Sequence, residues 1–369
     1  MTHSGLIDII ERETHGSSYR VEKISADSLE HEQENEDSSG GVWLRNAESS
    51  TDTKYIDIKS ESEKLSRSDK QILNYFIDSA RQNYKVDDIV YSQKIYPIIA
   101  GQIGVACCKR TAKKLLPFIY QHEIVIALPD VANFDGQKKF FSELKQKLND
   151  SLSGDLKISV VLNYSTLDAG TKLLDDRARD KILSRSRSYE IKLIEYLTEK
   201  NLLSDTNYLV KDGTLESLYA KDVDSNNYNY VLGVVKNFNP EICINSHGQP
   251  DPLYIAELPL YNRTQAALFT NPEILGDKKI IVWYLRMHDK RRTHSVFDGV
   301  IKLEKILSSD TESITTQEIN KLSAFMLNER SPVCMGKDSN WANYIYPSYL
   351  TEQYIKSKYI SAKTFLQIF

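Results

Sequence analysis

Residues 207–236 read NYLVKDGTLESLYAKDVDSNNYNYVLGVVK, and this stretch decides the fold. Two runs rich in Tyr, Val and Leu, residues 208–210 and 230–235, are typical of β-strands and flank a polar connection. The first run leads into Asp212-Gly213 and the second into Lys236. Upstream, residues 173–199 carry apolar side chains at helical spacing. We therefore predict a long helix that packs on a sheet, with charged side chains where two of the strands end.

The long helix places an acidic residue on its apolar face. Around Glu190, the residues Leu183, Leu193 and Leu197 fall at −7, +3 and +7, so Glu190 is centred on the side that should contact the sheet. Burying a carboxylate without a partner costs roughly several kcal/mol. We therefore expect a cation beside Glu190. A Lys or Arg of this chain, in a structural salt bridge, and a metal ion both remain open.

The strand after the helix ends in a second carboxylate. Asp212 alternates with Tyr208 and Val210, so it should share their side of the sheet, although Asp-Gly is also an ordinary turn dipeptide. One carboxylate from a helix and one from the next strand recur in metal-dependent nucleases, and carboxylate oxygens suit Mg²⁺ or Mn²⁺. Lys236 could balance such a site or contact a phosphate, or it could be a surface lysine. We predict that Glu190 and Asp212 share one metal ion.

Composition gives weaker indications of class and compartment. The 369-residue chain is 41% hydrophobic and 27% charged, and its net charge of −4 lowers the expectation of nucleic-acid binding without excluding a local basic surface. There is no apolar run of about 18 residues and no signal peptide at the N-terminus. The four cysteines lack the spacing of a disulfide framework or a metal site. These features predict a cytoplasmic protein without a membrane anchor.

The N-terminal part differs in composition from the rest. Residues 24–66 contain eleven acidic and four basic side chains, with Ser and Gly interspersed, and such a segment buries little apolar surface. We predict that residues 1–66 are partly disordered and that residues 67–369 form the main domain. Within the first segment, residues 6–13 favour a short helix, and residues 43–44 and 55–58 favour short strands. The segment could be a solvated tail or an arm that docks on a partner.

Hydrophobic periodicity predicts the elements of the main domain. Predicted helices are residues 68–83, 136–148, 173–199, 264–269 and 317–327, with a last helix after the aromatic segment 341–354. Predicted strands are residues 95–108, 116–128, 156–162, 208–210, 230–235, 254–258, 279–287 and 297–306. This order of strands and helices favours an α/β or α+β sheet domain.

The order of these motifs resembles the NurA nucleases, which are prokaryotic RNase H-like nucleases that work with the HerA hexameric DNA translocase. The resemblance runs from about residue 95 to the C-terminus. It rests on the helix glutamate, LVKDGTL, VLGVVK, VWYLR, a strand ending in Glu304, and the closing YIYPSYLTEQYIKSKYI. It implies an RNase H-like mixed β-sheet flanked by helices, with extra C-terminal strands and helices. It also implies a Mn²⁺- or Mg²⁺-dependent DNA nuclease, a homodimer that partners a HerA-like hexameric ATPase in DNA end processing or anti-phage defence.

Carried over by position, the resemblance assigns three residues. Glu190 matches the helix glutamate of the family, Asp212 its second aspartate, and Lys236 its lysine after the glycine. These three residues are the predicted catalytic set, with Glu190 and Asp212 as metal ligands.

Two positions depart from the family pattern. The first strand of the family carries Asp-Gly-Ser, and the best counterpart in this sequence is Ala100-Gly101-Gln102, without a carboxylate. Asp130 is an alternative first-strand metal ligand. The C-terminal metal-binding residue of the family falls at Tyr354, with Glu352 two residues before it. These departures imply an alternative function, a catalytically inactive NurA-like subunit that binds DNA or regulates a partner.

Two clusters of basic residues are candidates for DNA contact. One lies on the long helix between residues 177 and 187, and the other surrounds the turn at residues 288–294. Such side chains could neutralise phosphates regardless of base sequence, or they could be ordinary solvated surfaces.

Overall fold

The protein is described here by a computed structural model. It describes residues 5–19, 23–25, 41–48, 53–68, 70–154, 156–167, 172–216, 218, 224–245, 247, 249–275, 278–307, 314–332 and 341–369.

The described strands join in one mixed sheet. They are β1 (Ser17–Ser18), β2 (Ile24–Ser25), β3 (Val42–Asn46), β4 (Tyr55–Asp57), β5 (Leu73–Tyr91), β6 (Lys94–Thr111), β7 (Lys114–Pro129), β8 (Val160–Tyr164), β9 (Tyr208–Asp212), β10 (Val231–Val235), β11 (Asn262–Thr264), β12 (Ala267–Thr270), β13 (Ile280–Arg286) and β14 (Val300–Ile306). Along the main path their order is β3-β12-β13-β14-β10-β9-β5-β6-β7-β8.

Helices flank this sheet on both sides. They are α1 (Leu6–Thr14), α2 (Lys59–Ser66), α3 (Phe140–Ser151), α4 (Leu174–Glu199), α5 (Pro252–Ala256), α6 (Pro272–Leu275), α7 (Thr316–Asn328), α8 (Tyr346–Ser357) and α9 (Ala362–Leu366). The predicted class, a mixed α/β sheet flanked by helices with further strands and helices towards the C-terminus, is confirmed.

The centre of the sheet is built on two long hairpins. β5, β6 and β7 are antiparallel neighbours, and β9 and β10 continue the sheet parallel to β5. Ser92 and Gln93, which connect β5 to β6, both have positive φ angles (45° and 67°). Two-residue connections of this kind match the right-handed twist of the paired strands. In this arrangement the C-terminal end of β9 lies beside the first half of β5, and that of β10 lies beside β9.

The two faces of the sheet carry different helices. On one, which we call the α4 face, Ile77 and Leu209 pack with Ile194 of α4. On the other, which we call the α8 face, Ala80 and Ala106 pack with Ile355 of α8. α7 covers the neighbouring strands on this second face. Because side chains alternate along a strand, consecutive residues of β5 and β9 belong to different faces.

Most of the predicted elements are confirmed, and two of the three exceptions share a cause. The helix predicted at residues 68–83 is wrong, since Leu73–Tyr91 is β5. The helix predicted at 264–269 is also wrong, since that segment contributes to β11 and β12. Both segments are buried on both faces of the sheet over much of their length, so their apolar residues do not alternate with polar ones. A short apolar run of this kind fits helical spacing equally well.

The strand predicted at residues 254–258 is a helix, α5. The side chain of Asp251 accepts a hydrogen bond from the backbone N–H of Tyr254, and Pro252 occupies the first turn. Both residues are helix-start signals in the sequence, and they outweigh the β propensity of Tyr254 and Ile255.

The N-terminal elements join the same sheet and core. The helix at residues 6–13 and the strands at 43–44 and 55–58 are confirmed as α1, β3 and β4. Leu6 and Ile10 of α1 pack in one cluster with Phe365 and Phe369 near the C-terminus. β3 pairs with β12, and β4 with β11. Of residues 1–66, which we predict to be partly disordered, residues 1–4, 20–22, 26–40 and 49–52 lie outside the described residues. The domain boundary at residue 66 stays a prediction.

Candidate active site

Two carboxylates stand side by side on the α8 face where β5 and β9 run in parallel. The register pairs Ile77 with Lys211, so the next residues, Asp78 and Asp212, occupy one row. Neighbouring strands lie about 4.8 Å apart, and residues in one row point to one face. Asp212 in turn is paired with Val234 of β10. Both aspartates are thus presented together at the centre of the sheet.

Lys236 contacts this pair from the residue that follows β10. Its Nζ lies 2.6 Å from Oδ2 of Asp212 and 4.7 Å from the centre of the Tyr344 ring. The side-chain amide of Asn343 donates to the carbonyl of Lys236 at 3.4 Å. Oδ2 of Asp212 is buried and accepts no hydrogen bond of good geometry from the described residues, so we interpret the contact as an ion pair. The segment before α8 therefore helps to hold Lys236 at the carboxylates.

The site is rich in negative charge. Burial, and after it the neighbouring Asp212, raise the pKa of Asp78 well above its ordinary value, with Glu352 and Glu190 adding to this and Lys236 opposing it. Burial alone would lower the pKa of Lys236, but Asp212, Asp78 and Glu352 together raise it above its ordinary value. Three carboxylates therefore act on Asp78, and this repulsion favours a bound cation.

Glu190 approaches these strands from the opposite side. Its carboxylate accepts a hydrogen bond from the hydroxyl of Ser79 and lies 3.6 Å from Nζ of Lys211. Ser79 and Lys211 directly follow and precede Asp78 and Asp212, respectively, so their side chains lie on the α4 face. The structure thus brings Glu190 and Asp212 to the same strand region without a shared contact. The cation expected beside Glu190 is a lysine of this chain, although Glu190 still raises the pKa of Asp78.

Asp130 lies apart from this group. It follows β7, and its Oδ1 accepts hydrogen bonds from the backbone N–H (3.1 Å) and the hydroxyl (2.6 Å) of Thr166. The register aligns Asp78 with Tyr120 of β7 through Ala106 of β6. Asp130 is ten residues beyond Tyr120, which corresponds to about 33 Å of strand. The structure does not bring Asp130 to Asp212.

The strand that borders β9 carries a carboxylate, Asp78, that sequence analysis missed. Ala100-Gly101-Gln102 lies on β6, and the strand that borders β9 is β5, which carries Asp78-Ser79. The prediction of a helix at residues 68–83 hides this strand in the sequence, and the choice of Ala100 as the counterpart stays a prediction. A signal did exist, since Asp78 ends an apolar run and is followed by a small polar residue. Asp78 is therefore the carboxylate that the strand pairing places beside Asp212.

The C-terminal helix α8 contributes a further acid. Glu352 is half-buried, lies 2.7 Å from Nζ of Lys356, and acts on both Asp78 and Lys236. Tyr354, at the position where the resemblance places a metal ligand, instead packs its ring against Tyr120 at 5.6 Å. Glu352 is thus the α8 residue that is electrostatically part of the site.

The carboxylates of this site are possible ligands of a metal ion. Within the described ranges no group of three or more His, Cys, Asp or Glu side chains is already arranged to hold one. Two observations nevertheless fit a hard divalent cation: the donors are all carboxylate oxygens, and the buried Oδ2 atom of Asp212 has no partner among the described residues apart from the Lys236 ammonium at 2.6 Å. Mg²⁺ and Mn²⁺ prefer oxygen donors of this type. The residues therefore fit such an ion, provided that Lys236 gives way to it.

The two predicted basic clusters are largely engaged within the chain. Arg185 of α4 donates to both oxygens of Glu123 at 2.9 Å, and Arg177 donates to the carbonyl of Ser165 at 3.3 Å. The guanidinium of Arg286 is buried and donates to backbone carbonyls, including that of Leu258 at 2.6 Å. Burial lowers the pKa of Arg286 to about 10. These arginines hold segments of the fold together, so DNA contact by the clusters stays a prediction.

Comparisons with known proteins show a similarity of fold and no match in sequence. No protein-family model and no curated protein matches the chain. The crystal structure of the NurA nuclease from Sulfolobus solfataricus aligns with a TM-score of 0.43 and 12% sequence identity, over 84% of this chain and 88% of that one. A likeness at this TM-score carries no argument about activity. Across the described segments, no helix is long and apolar enough to cross a membrane.

Proposed function

We propose that this chain is a metal-dependent DNA nuclease of the NurA type. The observation that carries the proposal is the row formed by Asp78 and Asp212 on parallel neighbouring strands, with Lys236 2.6 Å from Asp212. Buried acidic side chains on adjacent strands are costly for folding alone, so their presence fits a site that binds a cation.

Asp78 and Asp212 would hold Mn²⁺ or Mg²⁺, with Glu352 and Glu190 adding negative charge from the helices on either side. Such an ion, when bound, supplies an activated water and stabilises charge on the phosphate. Once Lys236 is released from Asp212, its ammonium group would counter the negative charge that develops on the phosphodiester. The burial of these groups strengthens their electrostatic effect on a substrate.

The wider setting of the proposal comes from the sequence resemblance. It comprises a homodimer, a HerA-like hexameric ATPase as partner, a cytoplasmic location, and a role in DNA end processing or anti-phage defence. Support for these points is limited to the ordered motifs from residue 95 onwards.

The test is degradation of linear DNA with Mn²⁺, with and without a HerA-like ATPase. Asp78→Asn and Asp212→Asn should each lower the rate by about 100-fold or more, the scale on which removal of one electrostatic group affects catalysis. Asp130→Asn is the matched control and should cut like wild type. Inactivity of the wild type under both conditions would refute the proposal, as would full activity of Asp78→Asn.

An inactive DNA-binding or regulatory subunit is the second candidate. It is favoured by the ion pair between Lys236 and Asp212, which neutralises one carboxylate without a metal, and by the aromatic residue Tyr354 at an expected ligand position. Calorimetric titration with Mn²⁺ separates the two candidates. Tight binding that Asp212→Asn abolishes would exclude the inactive form, whereas no binding by the wild type would support it.

A further inference from the structure

Four aromatic rings form a continuous surface on the α8 face, which we call the aromatic strip. The ring of Tyr354 lies 5.6 Å from that of Tyr120, Tyr120 lies 6.3 Å from His122, and His122 lies 5.7 Å from Tyr359. The rings of Tyr120 and His122 are nearly parallel, with 8° between their planes. All four residues are half-buried, so the strip is partly exposed to solvent.

The strip begins next to the carboxylates. Asp78, Ala106 and Tyr120 form one row across β5, β6 and β7. Two strand spacings of about 4.8 Å place the backbone of Tyr120 about 10 Å from that of Asp78, with both side chains on the α8 face. On α8, Tyr354 follows Glu352 by two residues. α8, which lies over the carboxylates, therefore also carries one end of the strip, and β7 carries its middle.

The strip is held in place by polar contacts. The hydroxyl of Tyr359 donates to the carbonyl of Ala80. The side chain of Gln102 exchanges two hydrogen bonds with the backbone of Ile360 (2.8 and 2.9 Å) and lies 3.3 Å from Nε2 of His122. Rings fixed in this way lose little conformational freedom when a ligand stacks on them.

The surroundings of the strip suit a nucleic acid strand. Lys356 and Lys358 are exposed on the α8 side, and Nζ of Lys358 lies 5.3 Å from the ring centre of Tyr354. β8 pairs with β7 only from Val125 onwards, so the strip reaches a sheet edge that no described strand covers at Tyr120.

We propose that the aromatic strip binds unpaired nucleobases of the DNA strand whose phosphate lies at Asp78 and Asp212. This inference rests on the proposed nuclease function and adds that the strand must be single-stranded on the β7 side of the cut. Base stacking on aromatic side chains is independent of sequence, and nearby lysines contact the backbone. A distance of about 10 Å corresponds to three nucleotides or fewer, at 3.4 Å per nucleotide in an unstretched strand.

The binding test uses fluorescence anisotropy of a labelled single-stranded oligothymidylate, with the full chain in EDTA at low salt. Tyr120→Ala and Tyr354→Ala should each weaken binding by about tenfold, a value within the range known for the loss of one stacked base. Tyr120→Phe keeps the ring and should bind like wild type. Tyr196→Ala is the matched control, because Tyr196 is 40% exposed on α4, on the opposite side of the sheet. Equal binding by wild type and Tyr120→Ala would overturn the inference.

A second measurement locates the stacked base. Four substrates each carry one abasic nucleotide, placed one, two, three or four nucleotides from the cut. The wild type should cleave only one of these four substrates more slowly than intact DNA. Tyr120→Ala should cut all of these substrates at similar rates. A penalty that is the same in wild type and Tyr120→Ala would contradict the inference. Thermal unfolding midpoints of the variants, within a few degrees of wild type, show that the changes reflect binding and not unfolding.

The outcomes separate this inference from the proposed function. If the wild type cuts DNA and the ring variants behave like it, only the aromatic strip is refuted. If the ring variants weaken DNA binding but the wild type does not cut, stacking stands and the nuclease is refuted. If the wild type neither binds nor cuts DNA, both are refuted.

Discussion

At the scale of single residues, several charged side chains lie away from solvent, and the partners of each side chain determine whether its charge is compensated. Asp78 and Asp212 are neighbours, and one lysine, Lys236 after β10, balances their charge. Glu190, in contrast, is paired with Lys211 and Ser79 on the α4 face. The first arrangement leaves negative charge in excess, which fits a cation site, and the second resembles an ordinary buried ion pair.

His288 provides a prediction for pH dependence. Burial, with Arg330 and Arg292 nearby, lowers the pKa of His288 to about 4, and its Nε2 has no hydrogen-bond partner among the described residues. Above about pH 6.5 the imidazole is neutral in both folded and unfolded chains. As the pH falls from 6.5 towards 4, only the unfolded chain takes up the proton, so the free energy of unfolding should decrease.

The measurement is the urea midpoint at pH 7 and pH 5 for wild type and His288→Phe, which keeps a ring against Trp341. His288 should account for about 1 kcal/mol of the acid-dependent loss, because partial exposure screens the effect. The variant should therefore lose less stability on acidification. The same pH dependence in both proteins would contradict the assignment.

At the scale of elements, α8 closes over the site because β6 lacks a side chain beneath it. A Cβ at Gly104 would lie 2.3 Å from Cγ2 of Ile355 and 3.0 Å from the Tyr359 ring. Close approach of a helix to a sheet needs such a position. The position of Glu352 and of the aromatic strip therefore depends on a glycine in a neighbouring strand.

Gly104→Ala should push α8 away from the sheet. Overpacking of this kind costs about 1–3 kcal/mol, measured as a lower thermal midpoint, and nuclease activity should fall with it. Adding Ile355→Ala removes the atom that the new methyl group meets. The double variant should lose less than the sum of the two single changes, and strict additivity would show that the two residues do not contact each other.

At the scale of the whole molecule, segments far apart in sequence complete one sheet. β3 and β4 extend it beyond β12 and β11, and the described residues between them include Glu48, which is buried against Arg263 with an Nη1–Oε1 distance of 2.7 Å. Removal of one partner from a buried ion pair leaves the other charge without compensation. The acidic N-terminal segment is therefore connected to the main sheet by a buried contact as well as by strand pairing.

Glu48→Ala should destabilise the protein by about 3 kcal/mol or more, measured by urea unfolding, and hydrogen exchange should increase first in β3 and β12. The matched control is Glu257→Ala, which removes an equally short ion pair with Lys54 (2.6 Å) whose side chains are 52% and 59% exposed. Exposed pairs contribute at most about 1 kcal/mol. Similar losses in both variants would show that Glu48 is no anchor.

The amino-acid sequence by itself determined α4, β9 and β10, and the positions of Glu190, Asp212 and Lys236 on them, because those elements have strong local periodicity and polar ends. Only the tertiary structure decided which carboxylate stands beside Asp212. Asp78 lies on a strand buried on both faces, so its local pattern did not distinguish a strand from a helix. Alternation along β9 also separates Asp212 from Glu190, because Lys211 faces Glu190 of α4 and the next residue, Asp212, faces α8. The pairing between distant segments follows from packing of the whole sheet.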